Sequence, residues 1–142
     1  MIKFLSKNNS LKNDMFDLAK KLWPIHRSLT GEGIRMSLQI IKEILPELKI
    51  YSIKSGTKVF DWKIPLEWKV NEAWIKKPDG KKICDLTNNN LHIVAYSTPI
   101  KKKISLEKLK KNLFSIPKMP NAIPYVTTYY NRNWGFCLTH KE

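Results

Sequence analysis

A switch in hydrophobic period at Pro46 constrains this chain more than any other feature. Before it, Ile34, Leu38, Ile41 and Leu45 recur at intervals of four, three and four, and Ile40 and Ile44 widen the stripe. That spacing predicts an amphipathic helix over 33–45 with its apolar face against a sheet. Proline cannot continue a helix, so Pro46 closes it. After it the period drops to two. Leu48, Ile50 and Ile53 suggest a strand, and short extended pieces separated by turn residues run on to about residue 100.

Upstream, Asn13 and Asp14 suit the cap of a first helix in which Phe16, Ala19, Leu22 and Trp23 share one stripe, ended by Pro24. Residues 1–12 are polar and expected to be peripheral. Downstream, Ser55-Gly56-Thr57 reads as a turn and Val59-Phe60-Asp61-Trp62 as a short extended piece. Residues 73–85 read as a hairpin around Lys77-Pro78-Asp79-Gly80, and 91–96 as a strand. Ser105 suits an N-cap, with Leu106, Leu109 and Leu113 lining a short helix. Pro117, Pro120 and Pro124 stiffen a loop, residues 125–130 favour strand, and 134–138 form a last strand. The order helix, helix, short strands, helix, strand indicates an α+β fold rather than a doubly wound nucleotide-binding sheet. In it a helix pair would accompany a largely antiparallel β-rich unit.

The formal net charge is +14, from 26 Lys plus Arg against 12 Asp plus Glu. Such a balance invites a polyanionic partner. Only three of the cations are arginine, whereas bidentate phosphate recognition favours arginine. The lysines are also spread along the chain, apart from a late concentration at Lys101, Lys102, Lys103, Lys108, Lys110 and Lys111. Nucleic acid is therefore not the expected partner, and the basicity reads mainly as a solvated surface. Cys84 and Cys137 both lie in apolar surroundings and are expected as free buried thiols of a reducing compartment. No apolar run approaches the ~20 residues that span a bilayer. Without a recognisable signal peptide, the expected location is cytoplasmic, with no membrane partner.

The chemistry-bearing residues are scattered. His26, His92 and His140 sit in three separate elements without a nearby His or Cys, so no metal ligand is assigned in this chain. Ser28, Ser97 and Cys137 lack a nucleophile-elbow context, so no catalytic residue is assigned either. The loop Arg27-Ser28-Leu29-Thr30-Gly31-Glu32-Gly33 stands out. Its glycines permit tight backbone, and its amides precede a helix amino terminus, where an anion can be received. The competing structural reading has Thr30 capping the second helix and Glu32 favouring its positive end. Asp61, between Phe60 and Trp62, is a weaker site candidate and fits a structural turn role better.

Four blocks then carry a resemblance: Leu22-Trp23-Pro24-Ile25-His26-Arg27-Ser28-Leu29-Thr30-Gly31-Glu32-Gly33; Ser55-Gly56-Thr57-Lys58-Val59-Phe60-Asp61-Trp62; Asn89-Asn90-Leu91-His92-Ile93-Val94-Ala95-Tyr96-Ser97-Thr98-Pro99; and Ile123-Pro124-Tyr125-Val126-Thr127 with Trp134-Gly135-Phe136-Cys137-Leu138. Over roughly residues 14–140 the chain resembles the amino-terminal part of bacterial zinc aminopeptidase-like proteins often associated with polysaccharide biosynthesis genes. The resemblance implies an incomplete α/β peptidase core interrupted by a β-rich domain. Residues 1–49 would be its helical part, 50–125 the inserted domain, and 126–142 the return to the core. It also places Arg27, Thr30 and Glu32 in a loop near the active-site side.

In that family the zinc-binding His, Asp and Glu residues follow the point where this sequence stops, so none is carried over. Zinc is expected only for a complete member, where a metal-bound water would attack a peptide or amide carbonyl. The resemblance implies a truncated product, a piece of a split gene or an excised fragment, inactive alone. Its expected partners are a complementary C-terminal peptidase-like half or copies of itself. The alternative is a non-enzymatic module that uses the β-rich part and its lysines to hold an acidic glycan, a nucleotide-sugar or a partner protein.

Overall fold

The computed structural model describes residues 10–129 and 131–142. The peripheral reading of residues 1–9 and the strand reading of Tyr130 lie outside the described residues. Helices and small sheets coexist, so the fold is α+β. The chain divides into two compact units, residues 1–69 and 70–142.

In the first unit, α1 (Ser10–Leu22) begins earlier than Asn13. The Ser10 hydroxyl donates to the Asp14 carboxylate at 2.9 Å and so supports the added turn. The Trp23 amide still reaches the Ala19 carbonyl at 2.8 Å before Pro24 ends the helix. No α1 residue is buried, and Met15 and Phe16 are largely exposed. Helix α2 (Glu32–Ile44) follows the periodicity, and its stripe from Ile34 to Leu45 is half-buried. The sheet expected beneath that stripe is not found within this unit. Its described residues hold only the two-residue strands β1 (Lys58–Val59) and β2 (Trp62–Lys63), paired antiparallel through Val59 and Trp62.

The strand expected over Leu48 to Ile53 does not form a ladder, and Ile50, Tyr51 and Ile53 stay exposed. Alternating apolar residues make a strand only when a neighbouring segment supplies its hydrogen bonds. The Ser55-Gly56-Thr57 turn does form. Around it the Gly56 amide donates to Ile64 at 2.8 Å and the Ile64 amide to Thr57 at 2.9 Å, which sets the β1–β2 hairpin.

The second unit holds the best-buried residues. β3 (Ile75–Lys76) and β4 (Lys82–Ile83) form the expected hairpin, with Ile75 opposite Ile83. Asn89 accepts from the Leu91 amide at 2.9 Å and caps a 3₁₀ turn, Asn90–His92. That cap replaces the first half of the strand expected over 91–96, since a side chain that satisfies local amides competes with a ladder. Ile93 and Ala95 then bridge to Phe136 and Thr127.

Helix α3 (Leu106–Lys110) has Ser105 as its cap, as expected. Leu113 leaves the helix and joins β5 (Leu113–Phe114), parallel to β6 (Phe136–Cys137). Val94, Ala95, Phe136, Cys137 and Leu138 form the buried centre where these segments meet.

Candidate functional site

The 27–33 loop joins α1 to α2, and each of its sequence-predicted residues has a structural partner. The Arg27 guanidinium donates to the Leu22 carbonyl at 2.5 Å and so places a cation at the carboxyl end of α1. Thr30 does not cap α2. The cap position is Gly31, at φ 117°, and it makes no side-chain cap bond. The Thr30 hydroxyl turns instead to the Leu66 carbonyl, at 3.5 Å. Glu32 opens α2, where a carboxylate favours the helix dipole, and accepts from Arg35 Nε at 3.1 Å.

Both loop glycines are required, for different reasons. Gly31 takes a left-handed φ that side chains disfavour. A Cβ on Gly33 would stand 2.0 Å from the His26 carbonyl oxygen, so backbone approach excludes any side chain there.

A second segment, residues 66–68, fastens this loop. The Ser28 hydroxyl donates to the Thr30 carbonyl and lies 3.5 Å from the Trp68 carbonyl. Arg35 grips Glu67 with two bonds, Nη1 to Oε1 at 2.6 Å and Nη2 to Oε2 at 3.1 Å. These charge-assisted bonds hold the Glu67 carboxyl below its usual range and strengthen the Arg35 cation. His26 packs against Trp68 with ring centroids 5.3 Å apart, and partial burial pushes the imidazole pKa down.

Arg35 and Glu67 were not singled out from sequence. The three-residue spacing of Glu32 and Arg35 hinted at a helix pair, but nothing local pointed 32 positions ahead to Glu67. Asp61 lies with Phe60 in the two-residue turn between β1 and β2 and is exposed. Phe60 has φ 50° and is 91% exposed at the same tip.

The histidines stay apart in their contacts. His92 is buried, with Nδ1 2.8 Å from the Cys137 carbonyl, and His140 pairs with the Ser115 hydroxyl at 2.9 Å. Among the described residues, no group of three His, Cys, Asp or Glu side chains is placed to hold a metal ion. Cys84 and Cys137 are free and buried, and burial pushes their thiols up to about 12 and about 11. Among the described residues, no helix is long and apolar enough to cross a membrane.

A family model described as "Domain of unknown function (DUF2172)" matches residues 67–142. The chain is 41% identical over 140 residues, 99% of its length, to a Clostridium acetobutylicum protein named "Putative polysaccharide biosynthesis protein with aminopeptidase-like domain". It spans 32% of that relative's length. A crystal structure of a "putative peptidase" from Clostridium acetobutylicum superposes with a TM-score of 0.86 at 44% identity, over 91% of this chain and 30% of that one. The likeness to aminopeptidase-like proteins drawn from the four sequence blocks therefore holds, as a match to part of a longer protein.

Proposed function

The chain belongs to the DUF2172 family, and from that premise we propose that it serves as the amino-terminal portion of an aminopeptidase-like hydrolase. The observation that carries this reading is the TM-score of 0.86 to the peptidase crystal structure. On this reading residues 1–49 supply helices to a peptidase-like core, 50–125 an inserted domain, and 126–142 the return to that core. The setting would be the making of a surface polysaccharide, in line with the relative's name.

The part played by this chain is positional. Arg27 secures the end of α1, Thr30 and Ser28 tie the loop to residues 66–68, and Glu32 with Arg35 and Glu67 locks the start of α2. A loop held at that many points keeps its amides in fixed positions, which suits the rim of a substrate cleft. Asp61, on an exposed turn, is the weaker candidate for such a rim.

The described residues do not fit a zinc ion, since no three ligating side chains converge. No hydrolytic step is therefore assigned to them. The metal, its ligands and the general base belong, in this proposal, to the complementary part of the polypeptide.

The test adds this chain to the separately produced remainder of the Clostridium relative and follows release of arylamine from an aminoacyl-arylamide in the presence of zinc. The expected result is a complex whose activity exceeds that of either piece. Full activity from the remainder alone, with no complex formed, would overturn the proposal.

A further inference from the structure

A half-open groove of about 270 Å³ indents the second unit. Val94, Val126 and Trp134 give it apolar lining, and Thr127, Asn131 and Asn133 give it polar lining. No Asp or Glu is among the described residues that line it. The groove is built from the segments that cross at the unit's centre. Ala95 bridges Thr127, the Val94 amide donates to Gly135 at 3.1 Å, and the Thr98 amide donates to Asn133 at 2.8 Å. These ties place an irregular loop on the buried strand segment, so the groove is anchored by backbone bonds.

Its polar groups retain capacity. Thr127 Oγ1 accepts from the Tyr129 amide at 3.0 Å, which leaves its hydroxyl proton to donate. Asn133 Oδ1 accepts from the Trp134 amide at 2.8 Å, which leaves its NH₂ group. The Asn131 backbone is fixed by its amide bond to Thr128 at 3.1 Å, and its side-chain amide can offer both a donor and an acceptor. Outside the lining, Lys102 places its Nζ 5.1 Å from the centroid of the Trp134 ring, and the exposed Arg132 lies in sequence between Asn131 and Asn133.

A ligand matching this set has an apolar C–H face, several hydroxyls that both donate and accept, and one negative charge. The volume is at or below the small end of ligand pockets, which run from roughly 300 Å³ upward, so it takes one small ring and not a nucleotide-sugar. We propose that this groove is a binding subsite for a single uronate residue of an acidic glycan. The ring lies against Trp134 and Val126, its hydroxyls meet Thr127, Asn131 and Asn133, and its carboxylate meets Lys102. The subsite does not draw on the rim proposed at residues 27–33, none of which is among the residues that line the groove.

The test titrates the full chain with glucuronate, with glucose and with inorganic phosphate, and follows the Trp134 indole N–H and Asn131 side-chain signals by NMR. Glucuronate should give saturable shifts in both, with Kd in the millimolar range, on the order expected for a ligand of this size. Glucose should bind about tenfold more weakly, and phosphate should leave the Asn131 signal unmoved.

Lys102→Gln should erase the preference for glucuronate over glucose. Asn131→Asp, which sets a carboxylate in the groove, should abolish glucuronate binding. Both positions are exposed, and an unchanged dispersion of the remaining signals verifies folding. The proposal is overturned by an absence of saturable shifts, by phosphate shifting both signals as glucuronate does, or by Lys102→Gln retaining the preference.

Discussion

Arg35 and Glu67 face each other across 32 positions of sequence with two parallel bonds of 2.6 and 3.1 Å, and this pair holds the 66–68 segment to the start of α2. Both side chains are about half exposed, so the contribution is electrostatic and open to salt. The guanidinium keeps the Glu67 carboxyl below its ordinary value of 4.5. A carboxyl depressed by folding stabilises the folded state above its unfolded pKa, and that contribution is lost as pH falls through the folded one. Glu67→Gln should therefore melt below the wild type at neutral pH, and the two melting curves should converge as the pH falls below the ordinary carboxylate value of 4.5. High salt at neutral pH should also narrow the gap. A gap unchanged by pH would mean that the pair acts through shape alone.

Gly33 and Gly31, two residues apart, predict different penalties. A Cβ at Gly33 would collide with the His26 carbonyl at 2.0 Å, and a backbone atom cannot step aside as a side chain can. Gly33→Ala should cost on the order of 3 kcal/mol or more. A Cβ at Gly31 would meet only ordinary contacts at 3.5 and 3.6 Å, so Gly31→Ala carries the backbone penalty of φ 117° with ψ −172° alone, about 1 to 3 kcal/mol. Urea midpoints of the two variants read this order directly, and a reversed order would show that the loop moves away from His26.

Sequence reading succeeded where the determinant is local. The β3–β4 hairpin was legible because Pro78, Asp79 and Gly80 supply turn chemistry on the spot, and Ser105 because a cap acts within one helical turn. The same logic exposed the 27–33 loop through its two glycines. It failed where a distant partner decides. Leu113 fits the stripe of α3, yet Phe136 draws it into a parallel ladder. Residues 48–53 alternate like a strand but join no ladder among the described residues, and Glu67 answers an arginine that no short-range pattern connects to it.

The thiols of Cys84 and Cys137 should be silent in the folded protein. With pKa values pushed up to about 12 and about 11, fewer than about one in a thousand would be thiolate near pH 8, and both side chains are buried. A chromogenic disulfide reagent should label neither cysteine until urea unfolds the chain, and then should label both. Prompt labelling of Cys137 in the native state would contradict its placement at 0% exposure.

His92 and Cys137 give the sharpest test of the second unit. A carbonyl oxygen can only accept, so the 2.8 Å contact requires that His92 Nδ1 carry the proton. The imidazole thereby satisfies a polar group at the buried centre of the unit, where an unmade bond is costly. His92→Ala removes both the donor and the ring volume and should destabilise the fold by about 2 to 4 kcal/mol. His92→Asn returns an amide donor near the Nδ1 position and should recover part of that loss in urea unfolding. If His92→Asn unfolds at the same midpoint as His92→Ala, the ring's packing rather than its hydrogen bond is what holds the 3₁₀ turn against β6.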